Sequence, residues 1–197
     1  MAFTQRSEKS RTAILTAARK LLAAKGYEGT TIRAVAAEAG IDPSMVMRYY
    51  GSKEGLFAAA VDVDLMLPSD AAQWPRDRLG EGMARHFVSR WEGALSDELL
   101  TMLLRSASTN PAATERLRSV FREQVLEFVR AVAPDGPELP RRAGMICSQL
   151  LGLALCRYVL AIPPVVEMDG DTLARTIAPV LQHYLTGDLD AAVVAVG

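Results

Sequence analysis

The sequence has few of the residues that usually build enzyme active sites and metal centres. Its 197 residues include two histidines and two cysteines. No nucleophile motif, phosphate-binding loop or metal-ligand spacing accompanies them. Ser89, His86 and Glu92 share one helical turn, but such grouping is common on amphipathic surfaces and lacks an oxyanion device. We therefore expect no enzyme, no catalytic residues, no cofactor and no metal.

The two cysteines also exclude a disulfide within one helix. Cys147 and Cys156 are nine residues apart on one predicted helix, which separates their backbones by about 13 Å. That distance is too long for a disulfide.

Long uninterrupted apolar runs are missing as well. Charged residues within 5–11 break the N-terminal stretch, which does not fit a signal peptide. Gln149 and Arg157 interrupt the most apolar region, so a membrane span is disfavoured. We therefore expect a cytoplasmic protein with no membrane partner.

Charge is close to balanced overall but unevenly distributed. The net charge is −1, yet residues 1–56 carry nine Lys/Arg against five Asp/Glu. The remaining residues are correspondingly acidic. The basic region 1–56, here called the head, favours a polyanionic partner, while the remaining residues form an acidic body. Chance unevenness of the charges is the alternative.

What the sequence does contain is helical periodicity. Apolar residues recur at helical spacing along most of the chain, and no strand pattern or internal repeat occurs. The sequence therefore predicts an all-α fold.

The segment Thr30–Leu56 predicts two short helices around a tight corner. Either Thr30 or Thr31 can cap the first helix, and Gly40 supplies the permissive backbone of the corner. Asp42 and Pro43 form the cap and first residue of the second helix. This arrangement is typical of a helix-turn-helix.

The exposed face of the second helix carries groups that suit the major groove of DNA. Arg48 can reach a phosphate or a guanine edge, and Ser44 can donate or accept a hydrogen bond. Asp42 is a cap that could also accept from cytosine. These residues alone leave open an ordinary three-helix core with solvated charges.

The rest of the chain predicts further helices around two proline-containing breaks. A helix from Ser52 to about Asp64 is followed by a connector over Leu65–Pro75 and by a helix over Pro75–Glu92. The region 142–162 is apolar on nearly every side, which predicts a helix buried on all sides. The last helix, over 171–186, contains Pro179 and is expected to kink there. The regions 142–162 and 171–186 predict a homodimer interface, with burial inside one subunit as the alternative.

Aromatic and methionine residues of the body could line an apolar effector pocket between helices. The alternative for each is an ordinary core position. His86, Arg90, Arg105 and Gln149 are candidate polar groups for orienting a ligand. The candidate effector-binding residues are Phe87, Trp91, Met102, Phe121, Phe128, Met145 and Tyr158.

Two sequence motifs resemble the N-terminal signature of the TetR family of transcriptional regulators. They are Thr31-Ile32-Arg33 with Ala36-Ala37-Glu38-Ala39-Gly40-Ile41, and Tyr49-Tyr50-Gly51-Ser52-Lys53-Glu54-Gly55-Leu56. The resemblance covers roughly residues 11–61. It implies a ligand-responsive repressor that binds a palindromic DNA operator as a homodimer and is released by a small apolar effector. The implied domains are a helix-turn-helix domain over 1–56 and an effector-binding and dimerisation domain over 57–197.

The resemblance also implies the DNA contacts. Met45 and Met47 depart from residues that the family often has at these positions, and Met45 shifts the expected contact toward a thymine methyl. A helical adaptor or an activator without ligand-released repression is the alternative function. The implied contacts are Thr31, Tyr49 and Lys53 to phosphates, Arg33 to base or phosphate, and Ser44, Met45 and Arg48 to base edges.

Overall fold

A computed structural model of the chain describes residues 5–93 and 98–190. Within these residues the regular structure is helical and no strand occurs, which confirms the predicted all-α fold. None of the described helices has the length and apolar character needed to span a membrane. The helices are α1 (Gln5–Gly29), α2 (Ile32–Ala39), α3 (Pro43–Tyr50), α4 (Lys53–Ala60), α5 (Leu79–Glu92), α6 (Glu98–Ser106), α7 (Pro111–Val120), α8 (Leu126–Val132), α9 (Leu139–Ala154), α10 (Pro163–Val166) and α11 (Gly170–Thr186).

Three shorter segments complete the regular structure of residues 5–93 and 98–190. A single 3₁₀ turn covers Ala71–Gln73. Two π-helical segments cover Phe121–Val125, between α7 and α8, and Leu155–Val159, after α9. Such segments are frequent at functional sites of proteins.

The chain divides into two compact units. The first unit comprises Met1–Val63 and Glu98–Arg118, and the second comprises Asp64–Asp97 and Ser119–Gly197. Helix α4, on which the boundary expected after Leu56 falls, packs with α1 in the first unit. The functional roles assigned to residues 1–56 and 57–197 stay a prediction.

The core of the first unit is formed by the apolar faces of its short helices. Gly26 interrupts the helical geometry of α1 near its end, with a φ of 67°, a left-handed conformation that favours glycine. Side chains with almost no solvent exposure fill this core: Ile14, Ala18, Val35, Ala36, Val46, Phe57, Ala60 and Val61.

The second unit contains a close helix pair, α5 and α11. Gly80 makes the close approach possible, because a Cβ there would lie 2.3 Å from the carbonyl oxygen of Ala178 on α11. The backbone N–H of Gly80 also donates to Oε1 of Gln182, at 2.8 Å. The helix α11 is continuous across Pro179.

The predicted helix from Ser52 to Asp64 is shorter than expected. It ends at Ala60, and residues 61–68 form an extended connector. After Ala60, backbone carbonyls accept hydrogen bonds from the Arg116 side chain instead of continuing the helical pattern. Arg116 donates to the carbonyl of Val61 at 3.1 Å and to the carbonyl of Val63 at 3.1 Å. The helix predicted from Pro75 begins at Leu79.

Within a single chain, residues 142–162 are buried on one side and exposed on the other, and burial of the exposed side against a partner subunit stays a prediction. Ile146 is fully buried, but Met145 is 40% exposed and Leu160 is 59% exposed. The α-helix ends at Ala154, and after the π-helical segment the backbone leaves helical geometry at Ala161, whose φ is 51°. Pro163 then opens the separate short helix α10.

Candidate nucleic-acid interface

The corner between α2 and α3 is built by local hydrogen bonds. The hydroxyl of Thr31 accepts from the N–H of Ala34 at 3.1 Å and thereby caps α2. Gly40 ends this helix in the left-handed conformation, with φ 66° and ψ 33°. The predicted cap and corner residues therefore have the expected geometry.

Helix α3 is anchored on one side and exposed on the other. Val46 is fully buried, whereas Ser44, Met47 and Arg48 are exposed. Met45, predicted to contact bases, is half-buried. Met47 was left out of the predicted contact set but is 45% exposed. At 100° per residue, Met47 lies on the same side of the helix as Ser44. This shared face could have added Met47 to the predicted contacts.

The first turn of α3 carries a compact hydrogen-bonded pair. Oδ1 of Asp42 accepts from the backbone N–H of Ser44 at 2.8 Å and from its hydroxyl at 2.5 Å. The hydroxyl and then the backbone N–H of Ser44 lower the pKa of Asp42 below its usual value. Asp42 therefore stays ionised while it caps the helix.

Other predicted contact residues surround this helix. Arg33 is exposed on α2, and Thr31 is exposed although its hydroxyl accepts the capping hydrogen bond. Tyr49 is half-buried at the end of α3, with its hydroxyl 3.2 Å from the hydroxyl of Ser7.

Lys53 is held near the start of α4. Its Nζ lies 4.2 Å from the ring centroid of Tyr27 and donates to the carbonyl of Glu28 at 3.5 Å. The Tyr27 hydroxyl donates to Oε1 of Glu54 at 2.9 Å. Ser52 caps α4 by accepting from the N–H of Gly55 at 3.0 Å.

The predicted effector residues do not form one group. Phe87, Trp91 and Tyr158 form an aromatic cluster in the second unit. Phe121 is half-buried in a π-helical segment, and Met145 is exposed on α9. These placements leave the effector-binding role of each residue a prediction.

The remaining two predicted residues lie near separate cavities. Phe128 lines a cavity of about 300 Å³ in the second unit, together with Gln124 and residues of the connector. Met102 belongs to the first unit, where it lines a cleft of about 440 Å³ with residues of α1 and α6.

Two of the candidate polar groups bind the connector. His86 Nε2 donates to the carbonyl of Leu65 at 2.9 Å. The buried Arg90 donates to the carbonyl of Asp64 through both Nε and Nη2. Gln124 accepts from the N–H of Leu65 at 2.7 Å. These side chains fix the backbone of the connector, a role that linear spacing could not predict.

Two family models match separate regions of the chain. The model described as bacterial regulatory proteins, tetR family, matches residues 14–60. The model described as tetracyclin repressor-like, C-terminal domain, matches residues 77–185. The chain belongs to the TetR family. It is a transcriptional regulator and not an enzyme.

Solved TetR structures extend this result over almost the whole chain. A TetR-family regulator from Streptomyces coelicolor A3 is 32% identical, with a TM-score of 0.58 over 94% of this chain and 99% of that chain. NalD from Pseudomonas aeruginosa, described as the secondary repressor of the MexAB-OprM multidrug efflux pump, shares the fold at 23% identity and a TM-score of 0.68, over 94% and 100% of the two chains.

A third TetR-fold structure was solved with a bound ligand. The multidrug binding protein EbrR complexed with ethidium is 22% identical, with a TM-score of 0.67 over 89% of this chain and 97% of that chain. No curated protein matches the chain. TetR regulators bind DNA and small-molecule effectors, typically as dimers.

Proposed function

We propose that this TetR regulator is a repressor that binds a palindromic operator as a homodimer and is released by a small apolar effector. The observation that carries the proposal is the exposed face of α3. Arg48 and Ser44 stand on this face, opposite the buried Val46. A helix anchored in this way can enter the major groove while its polar face contacts base edges.

The proposed DNA contacts combine readout with backbone binding. Ser44, Met45 and Arg48 contact base edges, Arg33 contacts a base or a phosphate, and Met47 adds an apolar contact. Thr31, Tyr49 and Lys53 contact phosphates. The basic balance of residues 1–56 supports this assignment because phosphate contacts supply most of the sequence-independent affinity for DNA.

The proposed homodimer uses the regions near 142–162 and 171–186. Their support is the apolar surface that the isolated chain leaves open, including Met145, Leu155 and Leu160 on the α9 side and Val180 on α11. Exposed apolar patches of this kind mark protein interfaces. Two-fold symmetry of the protein then requires a palindromic operator with half-sites about one helical turn or more apart.

Release follows from a shift between two states of the dimer. An effector that binds more tightly to the state with misaligned DNA-binding helices weakens operator binding by that difference in affinity. The connector held by His86, Arg90 and Gln124 lies beside the cavity that Phe128 lines. His86 and Arg90 belong to α5, so an effector that displaces this helix would also act on the connector.

Selection of genomic fragments by the purified protein tests the proposal. We expect enrichment of a palindrome, and we expect light scattering to give the mass of a dimer. Transcription from a promoter containing the palindrome should fall when the protein is added in vitro. Fragments without any shared sequence would support the adaptor function instead. An increase in transcription would identify an activator, and a monomeric mass would overturn the interface.

A further inference from the structure

Two aromatic rings on separate elements of the second unit stack face to face. The ring centroids of Trp91 on α5 and Tyr158 in the π-helical segment are 4.6 Å apart, with an interplanar angle of 2°. Phe87 adds a third ring, 6.0 Å from Trp91 and 6.4 Å from Tyr158. Trp91 and Tyr158 are half-buried, so part of the stacked pair is open to solvent.

Polar contacts hold the Tyr158 ring in place. Its hydroxyl donates to Oε1 of Glu92 at 2.7 Å, and Nε of Arg157 donates to the same oxygen at 2.5 Å. Arg157 also donates to the carbonyls of Val165 and Val166. Because these contacts exist before any ligand arrives, stacking on the ring pair requires little further ordering of side chains.

The protonation of the Tyr158 hydroxyl is also fixed. Burial, the hydrogen bond to Glu92 and the charge of Glu92 raise the pKa of Tyr158. The hydroxyl therefore remains a donor throughout the physiological pH range.

The charges that contact the Tyr158 ring already form an opposite pair. Glu92 binds Arg157. The guanidinium of Arg157 lies 5.8 Å from the centroid of the Tyr158 ring and repels a second cation there. A charged ligand would also lose hydration at the rings without gaining a new counter-charge, which is costly. A neutral aromatic ring gains apolar contact and offset stacking without that cost.

We infer that the Trp91–Tyr158 pair binds the effector and that this effector is a neutral, planar aromatic molecule. The inference rests on the proposed function, in which a small molecule controls operator binding. The rings supply a flat surface, and the internally paired charges select against ionic ligands.

Calorimetric titration with three bicyclic probes tests the ligand class. The probes are 2-naphthol, which is neutral, 2-naphthoate, an anion, and N-methylquinolinium, a cation. We expect 2-naphthol to bind at least about tenfold more tightly than either ion, a difference of about 1.4 kcal/mol. Comparable affinities for all three, tighter binding of an ion, or no binding of 2-naphthol below about 1 mM would overturn the inference.

Substitutions of the two tryptophans test the location. Trp91→Ala should weaken 2-naphthol binding at least about tenfold, and Trp91→Phe should restore most of it because a flat ring returns. Trp74→Phe is the matched control, since Trp74 lies outside the aromatic cluster, and it should bind normally. Circular dichroism of each variant verifies folding. Unchanged binding in a folded Trp91→Ala variant, or failure of Trp91→Phe to restore binding, would place the ligand elsewhere.

The same probes separate this inference from the proposed function. If 2-naphthol binds through Trp91 but does not change affinity for the selected operator, the ligand site stands and ligand-released repression fails. If another compound releases the operator while 2-naphthol does not bind, the repressor function stands and the ligand class is wrong.

Discussion

The hydroxyl of Ser44 donates a hydrogen bond to the carboxylate of Asp42, the residue that caps α3. The hydroxyl oxygen therefore faces its surroundings as a hydrogen-bond acceptor. Toward DNA it suits an amino group, which adenine and cytosine present in the major groove. The Ser44 hydroxyl on the exposed face of α3 is therefore expected to accept, and not donate, a hydrogen bond at the DNA.

This polarity predicts the effect of Asp42→Ala on base preference. The Ser44 hydroxyl becomes free to donate, so the operator position that it contacts should also accept guanine or thymine. Competition binding with all four bases at each operator position measures the change. Asp42→Asn is the control, because its amide oxygen can still accept from Ser44. An identical base preference in wild type and Asp42→Ala would contradict the assignment.

Arg48→Ala and Lys53→Ala should have different effects on DNA binding. Arg48→Ala should cost about 1–3 kcal/mol at the operator and relax base preference at one position. Lys53→Ala should weaken all sequences similarly and reduce the salt slope by about 1. Titrations with operator and random DNA at several salt concentrations make the comparison. Equal losses on both DNAs for both variants would overturn the two roles.

Arg90→Met should destabilise the protein by about 1.5–3 kcal/mol, the range for hydrogen bonds to a charged group. The substitution leaves the carbonyl of Asp64 without the two N–H donors of a buried guanidinium. Urea unfolding measures the change. Arg85→Ala is the control, because Arg85 forms exposed ion pairs and should cost less than about 1 kcal/mol. Similar losses in both variants would argue against a structural role for the Arg90 contacts.

Gly152→Arg should convert the proposed dimer to a monomer. Gly152 is exposed on α9, and a Cβ there would meet nothing within 4 Å in the chain, so folding should be preserved. A charged side chain on this face would disrupt an apolar interface. Light scattering and circular dichroism measure mass and folding. Ala58→Arg, at an exposed position of α4, should remain dimeric. A folded, dimeric Gly152→Arg variant would place the interface elsewhere.

The residues that were predictable from sequence act through local geometry. Thr31, Gly40 and Asp42 cap or turn the backbone within a few positions, so their roles follow from spacing. The pairing of Trp91 with Tyr158 depends on helices that meet only in the folded chain. The same holds for Arg90 and Arg116, whose backbone targets lie more than twenty residues away. Periodicity reports which face of a helix is apolar and contains no information on such distant partners.

Tyr27 predicts a loss of stability at alkaline pH. Burial and then the hydrogen bond and charge of Glu54 raise the pKa of Tyr27 to about 12, against about 10 in an unfolded chain. Below about pH 10 the phenol is protonated in both states and its contribution is complete. Between about pH 10 and pH 12 the unfolded chain releases the proton first, so the free energy of unfolding falls as pH rises.

Tyr27→Phe removes this titration and should flatten the decline. Urea unfolding of wild type and variant at about pH 9, 10 and 11 spans the window in which the two curves should converge. Tyr184→Phe serves as the control, because Tyr184 lies outside the Tyr27–Glu54 contact, and its curve should run parallel to that of wild type. A Tyr27→Phe curve that is also parallel to wild type would show that the Tyr27–Glu54 hydrogen bond does not govern the alkaline limit of stability.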